Sequence, residues 1–218
     1  MSILKAIESL DFFAALSSED IQKLASFSTL HDYNKGYLLY YEKEQSKELL
    51  FLTKGLAKAY KIDKHENDIF LYYIHENSLI SRISDIKSET ILSFSNITLL
   101  EDSQILGVDY KRFKEEFLHN NVLCFEFINE MISRSKKLEF LIDREFIFDS
   151  VSKVAMMLNT DLDMFNKLKR HEVSLVLHIQ PATLSRILNR LKRNKIIDII
   201  HGRVIVLDSS GLEAIYKE

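Results

Sequence analysis

The feature that most constrains this chain is a change in the spacing of its apolar residues near Asp109. From about Phe27 to Asp109 they fall in short runs rich in β-branched and aromatic side chains: GYLLYYE, ELLFLTKG, LAKAYKI, DIFLYYI, TILSFS, ITLLED and SQILGV. From Tyr110 onward they recur three and four residues apart. A strand pattern and a helix pattern do not exchange. A β-rich body must therefore precede a helical remainder, an α+β arrangement of segregated strands and helices. Gly36, Gly55 and the polar runs mark turns. Residues 1–26 read as short helices. Ser17 or Ser18 caps a helix with Glu19 and Asp20 in its first turn and Ile21, Leu24 and Ala25 as its apolar stripe.

Tyr110, Phe113 and Phe117 belong to a short amphipathic helix. A longer helix then carries Cys124, Ile128, Met131, Ser135, Leu138 and Ile142, in steps of four and three. This is the a/d seam of a two-stranded coiled coil and predicts a homodimer. The alternative is a helix packed on its own β-domain, a role open to the flanking Phe127, Ile132 and Leu141. A C-terminal domain begins near Phe148-Asp149. Its first helix shows Val151, Val154, Ala155 and Leu158 on one face, and two further helices and a hairpin follow.

Composition excludes several classes. The single cysteine, Cys124, rules out a disulfide framework and any multi-thiolate metal or iron–sulfur site within one chain; on the apolar seam it reads as a small packed residue. No run approaches a membrane span of about 20 apolar residues. The N-terminus lacks a signal-peptide pattern, so a soluble cytoplasmic protein is expected. No phosphate-cradling glycine loop, HExxH or nucleophile elbow points to an enzyme, and no catalytic or metal-ligating set is assigned. The net charge of −3 conceals an asymmetry: residues 150–218 hold 11 Lys+Arg against 7 Asp+Glu. A basic segment behind an acidic body suits a polyanion partner.

The segment KRHEVSLVLHIQPATLSRILNRLKRNKIIDIIHGRVIVL, residues 169–207, has the spacing of a helix-turn-helix. Val173 and Leu177 lie one turn apart on the first helix, Ser174 is small where two helices cross, and Ile179 lies in the turn. Pro181, the only proline, suits the first position of the second helix. Leu184, Ile187, Leu188 and Leu191 form that helix's buried stripe. Ala182, Thr183, Ser185, Arg186 and Asn189 then project from its other faces. Ser185 and Arg186, with Ala182, are candidates for base edges in the major groove. Thr183, Asn189, Arg190, Lys192 and Arg193 are candidates for the DNA backbone. The strands around His201-Gly202 would form a wing with Arg203 at its tip.

Taken in order, LDFFAALSSEDIQKLA, KGYLLYYEKEQSKELLFLTKGLAKAYKID, FIFDSVSKVAMML and PATLSRILNRLKRNKII resemble the cyclic-AMP receptor protein / fumarate-nitrate reduction regulator (Crp/Fnr) superfamily over nearly the whole chain. The resemblance implies a cyclic-nucleotide-binding-like jelly roll, or β-roll, over residues 1–120. It implies a dimerisation helix over 121–147 and a winged helix-turn-helix over 148–218. It implies a homodimeric transcription regulator that binds double-stranded DNA at an inverted repeat, with RNA polymerase as a further partner.

The sequence departs from the family in places. His178 stands at the turn position usually held by Gly, and Ala182 stands where many relatives carry a base-reading Glu; the Ser-Arg pair is kept as Ser185-Arg186. In the effector pocket, Ser81-Arg82 stands for the family's Gly-Glu and Glu89-Thr90 for its Arg-Ser/Thr. The charges are reversed, so Glu89 would repel a cyclic phosphate and Arg82 is expected to pair with Glu89 and close the pocket. Cyclic AMP and an iron–sulfur cluster are therefore not expected as effector or cofactor. Haem stays open: His31, His65, His75 and His119 lie in the sensor half, and none is singled out as a ligand. A nitrosative or oxygen-related signal is the family analogy. The alternative function is a ligand-binding regulator whose C-terminal domain binds a protein instead of DNA.

Overall fold

The structure is a computed structural model and describes residues 1–83 and 85–217. Backbone contacts divide the chain into two units, Met1–Arg134 and Ser135–Glu218. The division falls inside one long helix. Residues 121–147 are thus shared between the two units.

The first unit opens with helices α1 (Ile3–Glu8) and α2 (Ser18–Ala25). Ser17 is the cap of α2 and accepts from Asp20 N–H at 3.2 Å. Strands follow: β1 (Ser28–Tyr33), β2 (Leu38–Tyr40), β3 (Gln45–Ser46), β4 (Glu48–Lys54), β5 (Leu56–Ile62), β6 (Asp68–His75), β7 (Ser78–Leu79), β8 (Ile91–Leu92), β9 (Asn96–Leu99) and β10 (Ser103–Asp109). They form antiparallel sheets ordered β1-β10-β4-β7 and β2-β9-β5-β6, and a small β3-β8 pair. Strand β1 was not among the apolar segments, because its sequence, STLHDY, buries only Ser28. The TILSFS segment contributes only Ile91 and Leu92.

The run Leu49-Leu50-Phe51-Leu52 is buried throughout. Leu50 and Leu52 face the second sheet with Ala57, Ala59, Ile97, Leu99 and Ile105. Leu49 and Phe51 face the helices with Ile7, Phe13, Leu24 and Phe113. A strand covered on both sides has no polar face, which is why this stretch reads as continuous apolar sequence rather than alternation. The Phe13 and Phe51 rings lie 4.9 Å apart within the helix-side core. Helix α3 (Tyr110–Phe113) and the wider turn Lys114–Leu118 close that core with Tyr110, Phe113 and Phe117, all fully buried.

Helix α4 (Cys124–Ile142) follows, continued by the turn Asp143–Ile147. The second unit then holds α5 (Ser150–Thr160), α6 (Leu162–Lys167), α7 (Arg170–Val176), α8 (Pro181–Arg193), β11 (Ile197–Ile200), β12 (Arg203–Val206) and α9 (Ser209–Tyr216). Asp149 caps α5, accepting from Val151 and Ser152 N–H at 2.9 and 2.8 Å. These backbone hydrogen bonds hold its carboxyl below the usual range. Two elements were not expected. Helix α6 is a six-residue piece whose buried residues are Met164 and Phe165. Helix α9 buries Leu212 and is capped by Asp208, which accepts from Gly211 N–H at 2.9 Å. Both are too short to show a helical period in sequence.

Candidate nucleic-acid interface

The turn between α7 and α8 is built by a Schellman closure. Ile179 N–H bonds Ser174 O at 3.0 Å and His178 N–H bonds Leu175 O at 3.2 Å. His178 itself takes φ +52°. An L-residue in that region costs roughly 1–2 kcal/mol relative to ordinary helix geometry, so the site tolerates strain that glycine would avoid. Ser174 is buried and donates to Arg170 O at 2.9 Å, which satisfies its hydroxyl at the helix crossing.

Pro181 starts α8, where its missing N–H removes no helical bond. Leu184, Ile187, Leu188 and Leu191 are all buried. Ala182, Ser185, Arg186, Asn189, Arg190, Lys192 and Arg193 are exposed, and Thr183 is half-buried. Arg190, Lys192 and Arg193 in the last turn complement the helix dipole. The helix ends in a second Schellman closure: Ile196 N–H bonds Leu191 O at 3.1 Å and Lys195 takes φ +58°.

Arg186, Asn189, Arg190, Lys192 and Arg193 line an open groove of about 760 Å³. Arg186 folds back loosely on its own helix, donating from Nε to Ala182 O at 3.3 Å and from Nη2 to the Thr183 hydroxyl at 3.4 Å. These long contacts leave the guanidinium free to swing to a ligand. Lys192 differs, because its ammonium sits 2.8 Å from Asp198 on β11. That bond holds the Asp198 carboxyl below its usual range.

The wing is β11 paired to β12, with Ile200 opposite Arg203 across a two-residue turn. His201 and Gly202 have φ +49° and +80°, the positive values a type I′ turn needs. Arg203 is exposed beside this tip. Asn166 on α6 holds the wing: its side-chain amide donates to Val204 O at 2.9 Å, and its oxygen accepts from Val204 N–H at 2.8 Å. Arg170 steadies the tip by donating to Gly202 O at 2.9 Å. Neither clamp was foreseen. Nothing in sequence marks Asn166 as the partner of a strand 38 residues away.

In the first unit the expected Arg82–Glu89 pair does not form. Glu89 pairs with Lys111 on α3 at 2.9 Å, and Arg82 stacks on the Phe94 ring at 4.4 Å. Lys114 explains the difference. Its nearly buried ammonium donates to Ile86 O at 3.3 Å and also to Ser88 O, drawing this loop toward α3. The Lys111 contact holds the Glu89 carboxyl below its usual range. Thr90 N–H bonds the Ser88 hydroxyl at 3.1 Å, so Thr90 serves the loop's own turn. Ser81 is buried, bonded to the Tyr40 hydroxyl and to Leu50 N–H at 3.1 and 2.9 Å. His31, His65, His75 and His119 lie on β1, after β5, at the end of β6 and beyond α3. Among the described residues no group of three or more His, Cys, Asp or Glu could hold a metal ion.

Residues 154–215 match the Crp-like helix-turn-helix domain. The fold matches a CooA mutant from Carboxydothermus hydrogenoformans, with TM-score 0.73 at 16% identity, covering 98% of this chain and 95% of that one. It also matches a transcriptional regulator of the Crp/Fnr family from Eubacterium rectale, with TM-score 0.64 at 16% identity, covering 97% and 100%. The chain thus shares the fold of these proteins and carries a Crp-like helix-turn-helix domain in its second unit. It is also 24% identical over 124 residues to the anaerobic regulatory protein of Bacillus subtilis (strain 168), a match spanning 57% of this chain and about half (52%) of that relative.

The long helix α4 buries no residue. Phe125, Ile128, Ile132 and Ile142 are 71%, 54%, 50% and 54% exposed. Ser135 and Leu138 are exposed as well, whereas Cys124 and Met131 are half-buried. Of the residues flanking the seam, Phe127 packs on the helix-side core, but Ile132 faces outward. The Cys124 thiol donates to Leu118 O at 3.2 Å, which turns it toward the preceding segment. No helix of the described residues is long and apolar enough to cross a membrane.

Proposed function

We propose that this protein is a Crp/Fnr-type transcription regulator that binds an inverted-repeat operator as a homodimer and responds to an effector other than cyclic AMP. One observation carries the reading. Helix α8 buries its four apolar residues and turns Ser185, Arg186, Asn189, Arg190 and Arg193 outward together. Two such helices on a dimer would enter successive major grooves about 34–36 Å apart. Ser185 and Arg186, with Ala182, read base edges. Thr183, Asn189, Arg190, Arg193 and Arg203 hold the DNA backbone, and Lys192 contributes less because Asp198 already holds it.

DNA selected from a random pool by the wild-type protein tests this reading. Arg186→Ala should relax the preference at one symmetric base pair, a discrimination of about 1–3 kcal/mol. Arg193→Ala should weaken all sequences alike and reduce the salt slope by about one. Uniform loss for Arg186→Ala would remove it from base reading. A protein that heparin does not retain at low salt would favour a C-terminal domain that binds a protein partner.

The effector reading rests on Glu89 and Ser81. The resemblance puts Glu89 where a cyclic phosphate would need a cation, and Ser81 is committed to Tyr40 and Leu50. Calorimetry with cyclic AMP should show no binding, whereas micromolar binding at this pocket would overturn this. RNA polymerase contact is part of the same proposal, since a regulator placed at a promoter acts on it.

A further inference from the structure

His178 closes the helix-turn-helix where glycine would do so without strain, and its imidazole has a partner 33 residues earlier. His178 Nδ1 lies 2.8 Å from Glu145 Oε2. Glu145 belongs to the turn Asp143–Ile147 that ends the long helix. Its other oxygen accepts from Arg144 Nε at 2.8 Å, and Lys153 Nζ on α5 stands 3.7 Å from Oε2. Arg144 and Lys153 are themselves nearly buried. Among the described residues these are the charged groups that face the carboxylate. Burial alone would raise the Glu145 carboxyl, but the hydrogen bonds from His178 and Arg144 leave it below its usual range. A hydrogen bond to an ionised carboxylate is about twice as strong as one between neutral groups. Because His178 N–H and Ile179 N–H form the closure of α7, a force on the ring acts directly on the lead-in to Gln180 and α8.

We propose that His178 is a positioning residue for the recognition helix. Bonded to Glu145, it ties the turn between α7 and α8 to the segment after α4, and this bond sets α8. This rests on the DNA-binding reading above, and the experiment separates the two.

The full-length protein is titrated with an operator fragment that the wild type selects from a random pool, by fluorescence anisotropy. Glu145→Gln and His178→Asn should bind about threefold to fivefold more weakly than wild type, the size of one partly exposed charged contact. The double variant should bind no more weakly than either single one, because the same bond is lost in all three. Asparagine accepts the positive φ. His178→Gly relieves the strained backbone and should melt no lower than wild type, yet show the same deficit. Hydrogen exchange without DNA should be faster at residues 179–184 in Glu145→Gln and His178→Asn. Affinities equal to wild type, together with unchanged exchange, would overturn the proposal. A wild type that selects no DNA would sink the DNA-binding reading instead, and the exchange measurement would still decide whether His178 sets α8.

Discussion

Ile128→Glu is expected to convert the protein to a monomer of 25.5 kDa in sedimentation. Helix α4 has no buried residue within its own chain and leaves Phe125, Ile128, Ile132 and Ile142 at half exposure or more. Covering each such side chain contributes up to about 1.5–3 kcal/mol, so a paired helix has a large driving force and a solitary one has none. At a twofold axis the substitution places two unpaired carboxylates face to face in an apolar seam, a cost of about 3–5 kcal/mol. Ile128 is a cleaner site than Met131, which is half-buried against its own chain and would confound dissociation with misfolding. The monomer should keep its circular dichroism and lose operator affinity by more than tenfold. An unchanged dimer would mean that the exposed stripe is not the seam.

Leu184→Ala is expected to produce the second large effect, on folding instead of assembly. Leu184 is 1% exposed and sits with Ile187, Leu188 and Leu191 under α8. Truncating a buried leucine costs about 2–5 kcal/mol, partly transfer and partly the cavity left behind. Domains of this size have only about 5–15 kcal/mol in total. The C-terminal unit should melt well below wild type in calorimetry and DNA binding should fall with it, while Arg186→Ala should leave the melting curve unchanged. A Leu184→Ala protein that melts like wild type would show that α8 is not seated on this stripe.

The amphipathic parts of this molecule were legible because their period is local. Four leucines and isoleucines at helical spacing after Pro181 mark α8, and the same spacing fixes which of its residues face outward. In α4 the spacing puts Cys124, Ile128, Met131, Ser135, Leu138 and Ile142 on one stripe; Ile128, Ser135, Leu138 and Ile142 are exposed, Cys124 and Met131 are half-buried, and Phe125 and Ile132 are exposed beside them, since which side a helix turns to its own domain depends on what that domain presents. Strand β1 escaped notice because its pairing with β10 recruits polar residues. Gly55 reads as a turn, but the structure shows why glycine stands there. It has φ +105°, and a Cβ would collide with the Ser103 hydroxyl and come within 3.0 Å of Asp102 O.

Residue spacing alone thus determined that a strand-rich body precedes the long helices, the buried stripe of α8 and the residues it turns outward, because these follow from a repeat of 2 or 3.6 residues along one segment. The tertiary structure decided which charges meet: Glu89 with Lys111 instead of Arg82, Lys192 with Asp198, and Glu145 with His178. An ion pair depends on distance in space between side chains that chain separation does not report, so such partners emerge only once the loops are folded.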